Sequence, residues 1–197
     1  MKSAKNLMEL MSRKSFLDFL IAMNGHNDVK EWSEVGGVFR IIRKIMKVFN
    51  PIHLIDIGCG KRPTLATLLA LNYGCGGHII TYAVDPQLTG EYSKNIKFLH
   101  QIPKRLEEFV RECSSEDTFE SVLAISNHGH CKKHEIESLL KQYKKWIYIS
   151  VPCCVDNRLN QNAIHFKDIH SFSPRNDIYI YADSETFKEV SKIKLEK

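Results

Sequence analysis

His53-Leu54-Ile55-Asp56-Ile57-Gly58-Cys59-Gly60 is a short apolar run closed by two glycines, with Pro63 just beyond. A run of this length reads as a strand buried on both faces. Glycines at its C-terminal end let a ligand come close to the backbone. Outward from it, a helix is expected over Thr64 to Leu71 and a second strand over His78 to Val84, ending at Asp85-Pro86. A short third strand is expected over Ile96 to Leu99, a helix over Leu106 to Cys113 and a fourth strand over Ser121 to Ile125. A helix over His134 to Tyr143 and a fifth strand over Trp146 to Val151 complete the alternation. Strands and helices in this rhythm specify an α/β, doubly wound, Rossmann-like sheet, mostly parallel, with helices on both faces.

The ends of the chain read differently. Asp177 to Tyr181 alternates strongly and Phe187 to Leu195 more weakly, with Asp183-Ser184 between them. An antiparallel C-terminal hairpin at the sheet edge is therefore expected. Residues 155 to 176 are polar and irregular, a candidate lid. Residues 3 to 23 read as one or two helices, broken at Asn24-Gly25-His26-Asn27. Residues 34 to 48 place Val35, Val38, Ile41, Ile42, Ile45 and Met46 at helical spacing, with Arg40, Arg43, Lys44 and Lys47 opposite. The expected organisation is an N-terminal helical segment, 1–50, packed on a domain formed by 51–197.

The 197 residues are 43% hydrophobic and 26% charged, ordinary for a globular chain and unlike a disordered one. Lys and Arg number 28 against 23 Asp and Glu, a net charge of +5 that permits an anionic partner without requiring one. The six cysteines form no CxxC, which argues against a zinc ribbon or a disulfide framework and favours the reducing cytoplasm or nucleus. The uncharged stretch from Pro63 to Val84 is cut by Asn72-Tyr73-Gly74-Cys75-Gly76-Gly77, so no membrane span is expected. Asp18 interrupts Phe16-Leu17-Asp18-Phe19-Leu20, and no small-residue cleavage site follows, so a secretory signal is not expected either.

Asp85 stands 25 residues after Gly60, where a carboxylate at the end of a second strand can accept both hydroxyls of a ribose. A dinucleotide fingerprint wants a third glycine where Pro63 stands, and Asp56 would repel a diphosphate but pair with an ammonium. A ligand with an ammonium, a ribose and an adenine fits both features, and S-adenosyl-L-methionine has all three. NAD, or no nucleotide, are the alternatives. Asp56, Gly58, Cys59, Gly60, Asp85, Pro86 and Asn127 are the candidate cofactor-binding residues.

Ser126-Asn127-His128-Gly129-His130-Cys131 closes the fourth strand and Val151-Pro152-Cys153-Cys154 the fifth, two neighbouring ends in this fold. The cluster has three readings. It is a metal site of imidazoles and thiolates, a catalytic wall with His128 as general base, or small cysteines packed under a loop. His128 is the candidate catalytic residue, and no metal is assigned. Lys104, Arg105, Lys132, Lys133, Arg158 and Arg175 are expected on the ligand side, where they can meet phosphate.

Leu54 to Gly60 followed by Asp85 resembles the class I S-adenosylmethionine-dependent methyltransferases, over about residues 30 to 195. The chain departs from many members at Arg62, where they carry a third glycine. The resemblance implies a seven-stranded sheet with an antiparallel last strand and transfer of a methyl group to a nucleophile held in line. The His/Cys motif, the Cys-Cys pair and Lys30-Glu31-Trp32-Ser33-Glu34-Val35 are similar to a narrower eukaryotic branch. That branch comprises the tRNA ribose 2′-O-methyltransferases and their methyltransferase-like relatives, which typically read His-x-Cys-Gly. It implies an RNA substrate, with Lys30, His130, Lys132, Cys153 and Cys154 on the substrate side. A small-molecule or protein methyltransferase, an inactive methyltransferase-like binding subunit, and a metal- or redox-sensing protein are the other readings.

Overall fold

The computed structural model describes residues 29–89, 96–113, 118–153, 158–168 and 176–194. In chain order these form α1 (Val29–Ile45), β1 (His53–Ile57), α2 (Thr64–Tyr73), a 3-10 turn (Gly74–Gly76), β2 (Ile80–Val84) and β3 (Leu99–Ile102). They continue as α3 (Leu106–Cys113), β4 (Phe119–Asn127), α4 (Lys133–Leu140), β5 (Tyr143–Val151), β6 (Ile164–Lys167), β7 (Asp177–Ala182) and α5 (Ser184–Val190). The expected helices over residues 3 to 23 lie outside the described residues.

The strands make one seven-stranded sheet in the order β3-β2-β1-β4-β5-β7-β6. β7 runs antiparallel to both neighbours, and the other pairs are parallel. Side chains alternate across the sheet, so each strand feeds two cores. Leu54, Leu123, Ile125, Ile147 and Ile149 pack against α1, α2 and Val190 of α5. Ile55, Ile57, Val122, Ala124 and Tyr148 pack against α3 and α4. The order of strands puts the ends of β1 and β4 side by side at the centre, where a doubly wound sheet opens a crevice.

α1 starts five residues before its expected first residue, because Trp32 extends the buried stripe of Val35, Val38, Phe39, Ile42 and Ile45. It ends before Asn50-Pro51, which cannot continue a helix. Arg40 ties it to the sheet edge by donating to the buried Asp168 at 3.0 Å. Residues 29–49 therefore share the core of the sheet.

Two expectations about the edges are corrected. The third strand occupies Leu99–Ile102, not Ile96 to Leu99, because Phe98 adopts a left-handed φ of 66° and breaks the extended chain before it. The antiparallel hairpin exists, but its arms are β6 and β7, and Phe187 to Val190 of the expected second arm belongs to helix α5. Asp183 begins a helix: its Oδ1 accepts from Glu185 N at 3.1 Å and Thr186 N at 3.0 Å, while Oδ2 accepts from Trp146 N at 2.9 Å. β6 lies inside the expected irregular region, where four residues with Phe166 turned inward give little alternation to read.

Burial alone would push Asp183 up, but the N–H groups of Thr186, Trp146 and Glu185 overrule it and hold the carboxyl below its usual range. The stabilisation is present above the ordinary carboxyl pKa and is lost as pH falls through the lowered one. Replacing this cap, Asp183→Ala, is expected to cost about 1–2 kcal/mol at neutral pH. The gap to the parent chain should narrow in acid, and urea unfolding at neutral and acidic pH measures both.

Candidate active site

The turn after β1 is built from backbone. Gly58 and Gly60 both take left-handed φ values, 68° and 71°, and Gly58 N donates to Val84 O at 2.8 Å. Asp56 is buried beneath the turn, and its Oδ2 accepts from Ala66 N at 3.1 Å. It thereby caps α2, whose N-cap position is Pro63 with no side-chain acceptor. Asp85, at the end of β2, accepts from Gly60 N at 2.9 Å through Oδ2 and from Gln87 N at 2.7 Å through Oδ1. Each carboxylate oxygen keeps acceptor capacity for a ligand.

The turn after β4 closes against the turn after β1. A Cβ on Gly58 would lie 2.6 Å from Gly129 Cα, and a Cβ on Gly129 would lie 2.5 Å from Ile57 O. Neither position accepts a side chain without movement. His128, with φ 60°, is held by its N–H to Val151 O at 3.0 Å. Its Nε2 lies 3.5 Å from Glu34 Oε1 of α1, an ion pair at longer range than a direct hydrogen bond. The Glu34 carboxylate raises the His128 pKa, burial opposes it, and Cys153 adds to the rise.

Cys153 Sγ donates to His128 O at 3.4 Å and lies 3.5 Å from His130 Nε2. Cys131 is buried, its Sγ 3.6 Å from Ser126 Oγ. Among the described residues no group of three or more His, Cys, Asp or Glu side chains is placed to hold a metal ion. Burial pushes the Cys59 thiol well up, so it stays a neutral thiol.

A cleft of about 490 Å³ runs along Gly58, Gly60, Val84, Asp85, Pro86, Arg105, Leu106, His130 and Lys132. A second hollow of about 230 Å³ joins it at Gly58, Gly60 and His128 and is lined by Glu31, Glu34, Asp56, Cys59, Arg62, Thr64 and Asn127. Both lobes mix charges. Arg105 and Lys132 stand on the large lobe among Asp85, Glu107 and Glu135, and Arg62 stands on the small one. Three carboxylates face the small lobe, where Thr64 Oγ1 donates to Glu31 Oε1. Asn127 Oδ1 is buried in the small lobe with no hydrogen-bond partner among the described residues. A Cβ built on Gly60 meets nothing within 4 Å, so the space above the turn is open.

Asp56, Gly58, Cys59, Gly60, Asp85, Pro86, Asn127, His128, His130 and Lys132 are thus brought together around one two-lobed cleft. Cys153 sits behind His128 and His130. Lys30 lies in the first turn of α1, its side chain outside the described set, and Cys154 lies outside the described residues. Lys104 is paired with Glu112 at 2.6 Å and Lys133 with Glu137 at 3.7 Å. Sequence reasoning missed Glu31 and Glu34. Their spacing of three places them on one face of α1, and that was the available signal.

No family model matches the chain, and no curated protein matches it. Solved structures do. A mutant of MtNAS in complex with S-adenosylmethionine aligns with a TM-score of 0.55 at 10% identity, covering 91% of this chain and 70% of that one. MtNAS in complex with MTA and tNA gives 0.55 at 10% identity, over 92% and 69%. The N-methyltransferase NodS from Bradyrhizobium japonicum WM9 gives 0.48 at 10% identity, over 79% and 96%. At such identities the two MtNAS likenesses establish the fold alone: a Rossmann-like, seven-stranded, mostly parallel sheet with one antiparallel hairpin. Among the described residues no helix is long and apolar enough to cross a membrane.

The contact between the two turns predicts a contrast between glycines. Gly129→Ala must displace Ser126 Oγ and Ile57 O, and is expected to cost about 1–3 kcal/mol as an overpacked site. Gly60→Ala carries only the left-handed backbone strain, about 1–2 kcal/mol, and leaves the turns in contact. Both are expected to impair ligand binding, and thermal unfolding with near-ultraviolet circular dichroism separates the two causes.

Proposed function

We propose that the chain is a methyltransferase that uses S-adenosylmethionine. The observation that carries this reading is the complementarity of the two lobes that meet over the Gly58–Gly60 backbone. On the large lobe, Asp85 would accept the ribose hydroxyls, and Pro86 and Leu106 would face the adenine. On the small lobe, Asp56, Glu34 and the unpartnered Asn127 Oδ1 would accept the ammonium, with Arg62 beside them for the carboxylate. The open space above Gly60 fits the same ligand. When bound, this cofactor supplies a methyl group on a sulfonium, an electrophile that needs a positioned nucleophile rather than a strong catalyst.

The acceptor side would be formed by His128 and His130. His128 would take or orient the acceptor's proton, and Glu34 raises its basicity. RNA is the acceptor class we favour. Arg105 and Lys132 on the large lobe can meet phosphate, and the His/Cys and Cys-Cys motifs resemble those of RNA ribose methyltransferases.

Cofactor binding is expected to release a proton. Burial, with the charges of Asp85 and Glu31, pushes the Asp56 carboxyl up to about 7, although the Ala66 N–H pulls it down. In the free protein, the stability from neutral Asp56 is present in acid and is lost as pH rises through about 7. An ammonium partner favours the ionised form. Affinity should therefore rise with pH, by up to about tenfold per unit below 7, and then level off. Calorimetry with S-adenosylmethionine and with its demethylated product tests this at several pH values. Asp56→Asn should flatten the profile, and Asp85→Ala should weaken binding about tenfold or more. Affinity that ignores both substitutions in folded protein overturns the reading.

The Glu34–His128 pair makes a separate prediction. The His128 ring should keep its proton to a higher pH than a free imidazole, and Glu34→Gln should lower that titration point. Proton NMR of the ring, with His128→Asn for assignment, reads it without a methyl acceptor. An unchanged titration in Glu34→Gln would separate the two residues.

A further inference from the structure

Beside the cleft, four residues form one row across four strands. Ser126 of β4 pairs with Ser150 of β5, Ser150 with Tyr179 of β7, and Tyr179 with His165 of β6. Directly paired residues point to the same face of a sheet, and strand spacing sets Ser126 and His165 about 14 Å apart. The inner end of this row touches Cys131, which lines the large lobe. The outer end is a stack. The His165 ring lies on Tyr179 with centroids 4.4 Å apart and planes 11° from parallel, and the Arg158 guanidinium lies over the Tyr179 ring at 5.4 Å.

The stack is held in place from below and from the side. Tyr179 packs against the core formed by Tyr148, Leu159 and Tyr181. His165 Nε2 lies 2.8 Å from Asp177 Oδ1, which fixes the plane of its ring, yet its side chain remains 46% exposed. None of these residues takes part in the cofactor cleft. A pre-ordered stack of guanidinium, phenol and imidazole, nearly half exposed at its histidine, suits a flat aromatic ring that carries an anion. Every nucleobase has a π face and a neighbouring phosphate.

We propose that Arg158, Tyr179 and His165 are a stacking platform for a base that flanks the methylated nucleotide, with Arg158 reaching that nucleotide's phosphate. The proposal rests on the reading of RNA as acceptor and adds to it a site at the sheet edge. It explains how an acceptor strand keeps its register: phosphates on Arg105 and Lys132 hold the strand loosely, and one stacked base fixes its position along the cleft.

Fluorescence anisotropy of the full chain with short labelled oligoadenylate and oligouridylate, at several salt concentrations with the demethylated cofactor present, tests it. The parent chain should prefer oligoadenylate, whose base offers the larger ring. His165→Ala should weaken that binding about five- to a hundredfold, erase the preference and leave the salt slope unchanged. His165→Phe keeps a stacking plane and should retain the preference. Arg158→Lys keeps the charge but not the plane and should lie between. Lys132→Ala should lower the salt slope by about one and leave the preference intact. Salt-dependent binding that His165→Ala and Arg158→Lys leave untouched overturns the platform and spares RNA as acceptor. A parent chain that binds neither oligonucleotide at low salt overturns both. A His165→Ala variant that melts early is judged by His165→Phe: loss of preference in that folded variant also overturns the platform.

Discussion

Gly58 and Gly129 meet backbone to backbone, and the geometry of the cleft follows from that contact. A side chain at either position would drive the turn after β1 away from the turn after β4. Because they touch, His128 is swung into a left-handed conformation and brought within ion-pair distance of Glu34, on a helix that precedes the sheet in sequence. The same closeness leaves Gly60 above open space, with its N–H already committed to Asp85. Parallel strands β1, β2 and β4 supply the frame, since their C-terminal ends lie together only in the observed strand order.

Carboxylates line the cleft along its whole length. Glu31, Glu34 and Asp56 surround the small lobe beside Arg62, and Asp85, Glu107 and Glu135 line the large one beside Arg105 and Lys132. Burial is the main reason the Asp56 carboxyl is pushed up to about 7, and the nearby charges of Asp85 and Glu31 add to it. The same Asp56 carboxylate caps α2 by accepting from Ala66 N.

The central part of the fold was legible because it depends on short-range pattern. Short apolar strands alternate with helices from Pro51 to Val151, and the strand ends at Asp56 to Gly60 and at Asp85 could be read from that alternation. The edges were not. Asp183 favours a turn and a helix N-cap equally, and Phe187 to Leu195 alternates weakly enough to pass for a strand. What decides for the helix is Thr186 and Val190, four apart and both buried. Glu34 was missed for a different reason. Its spacing of three from Glu31 marks a shared helix face, but nothing local tells that this face meets His128, 94 positions away in sequence. Gly129, between the two histidines, looked like a variation in the motif until the close approach to Gly58 explained it.

Amide NMR during titration with the demethylated cofactor tests the central claim most directly, since it asks which part of the chain meets the ligand. The two-lobed cleft predicts shifts at Gly58, Gly60, Ala66, Asp85, Gln87 and Asn127 to Gly129, with α5 and the far end of α1 unmoved. Saturable shifts confined elsewhere, such as the groove between Lys44 and Lys194, or no shifts at millimolar ligand, would contradict it.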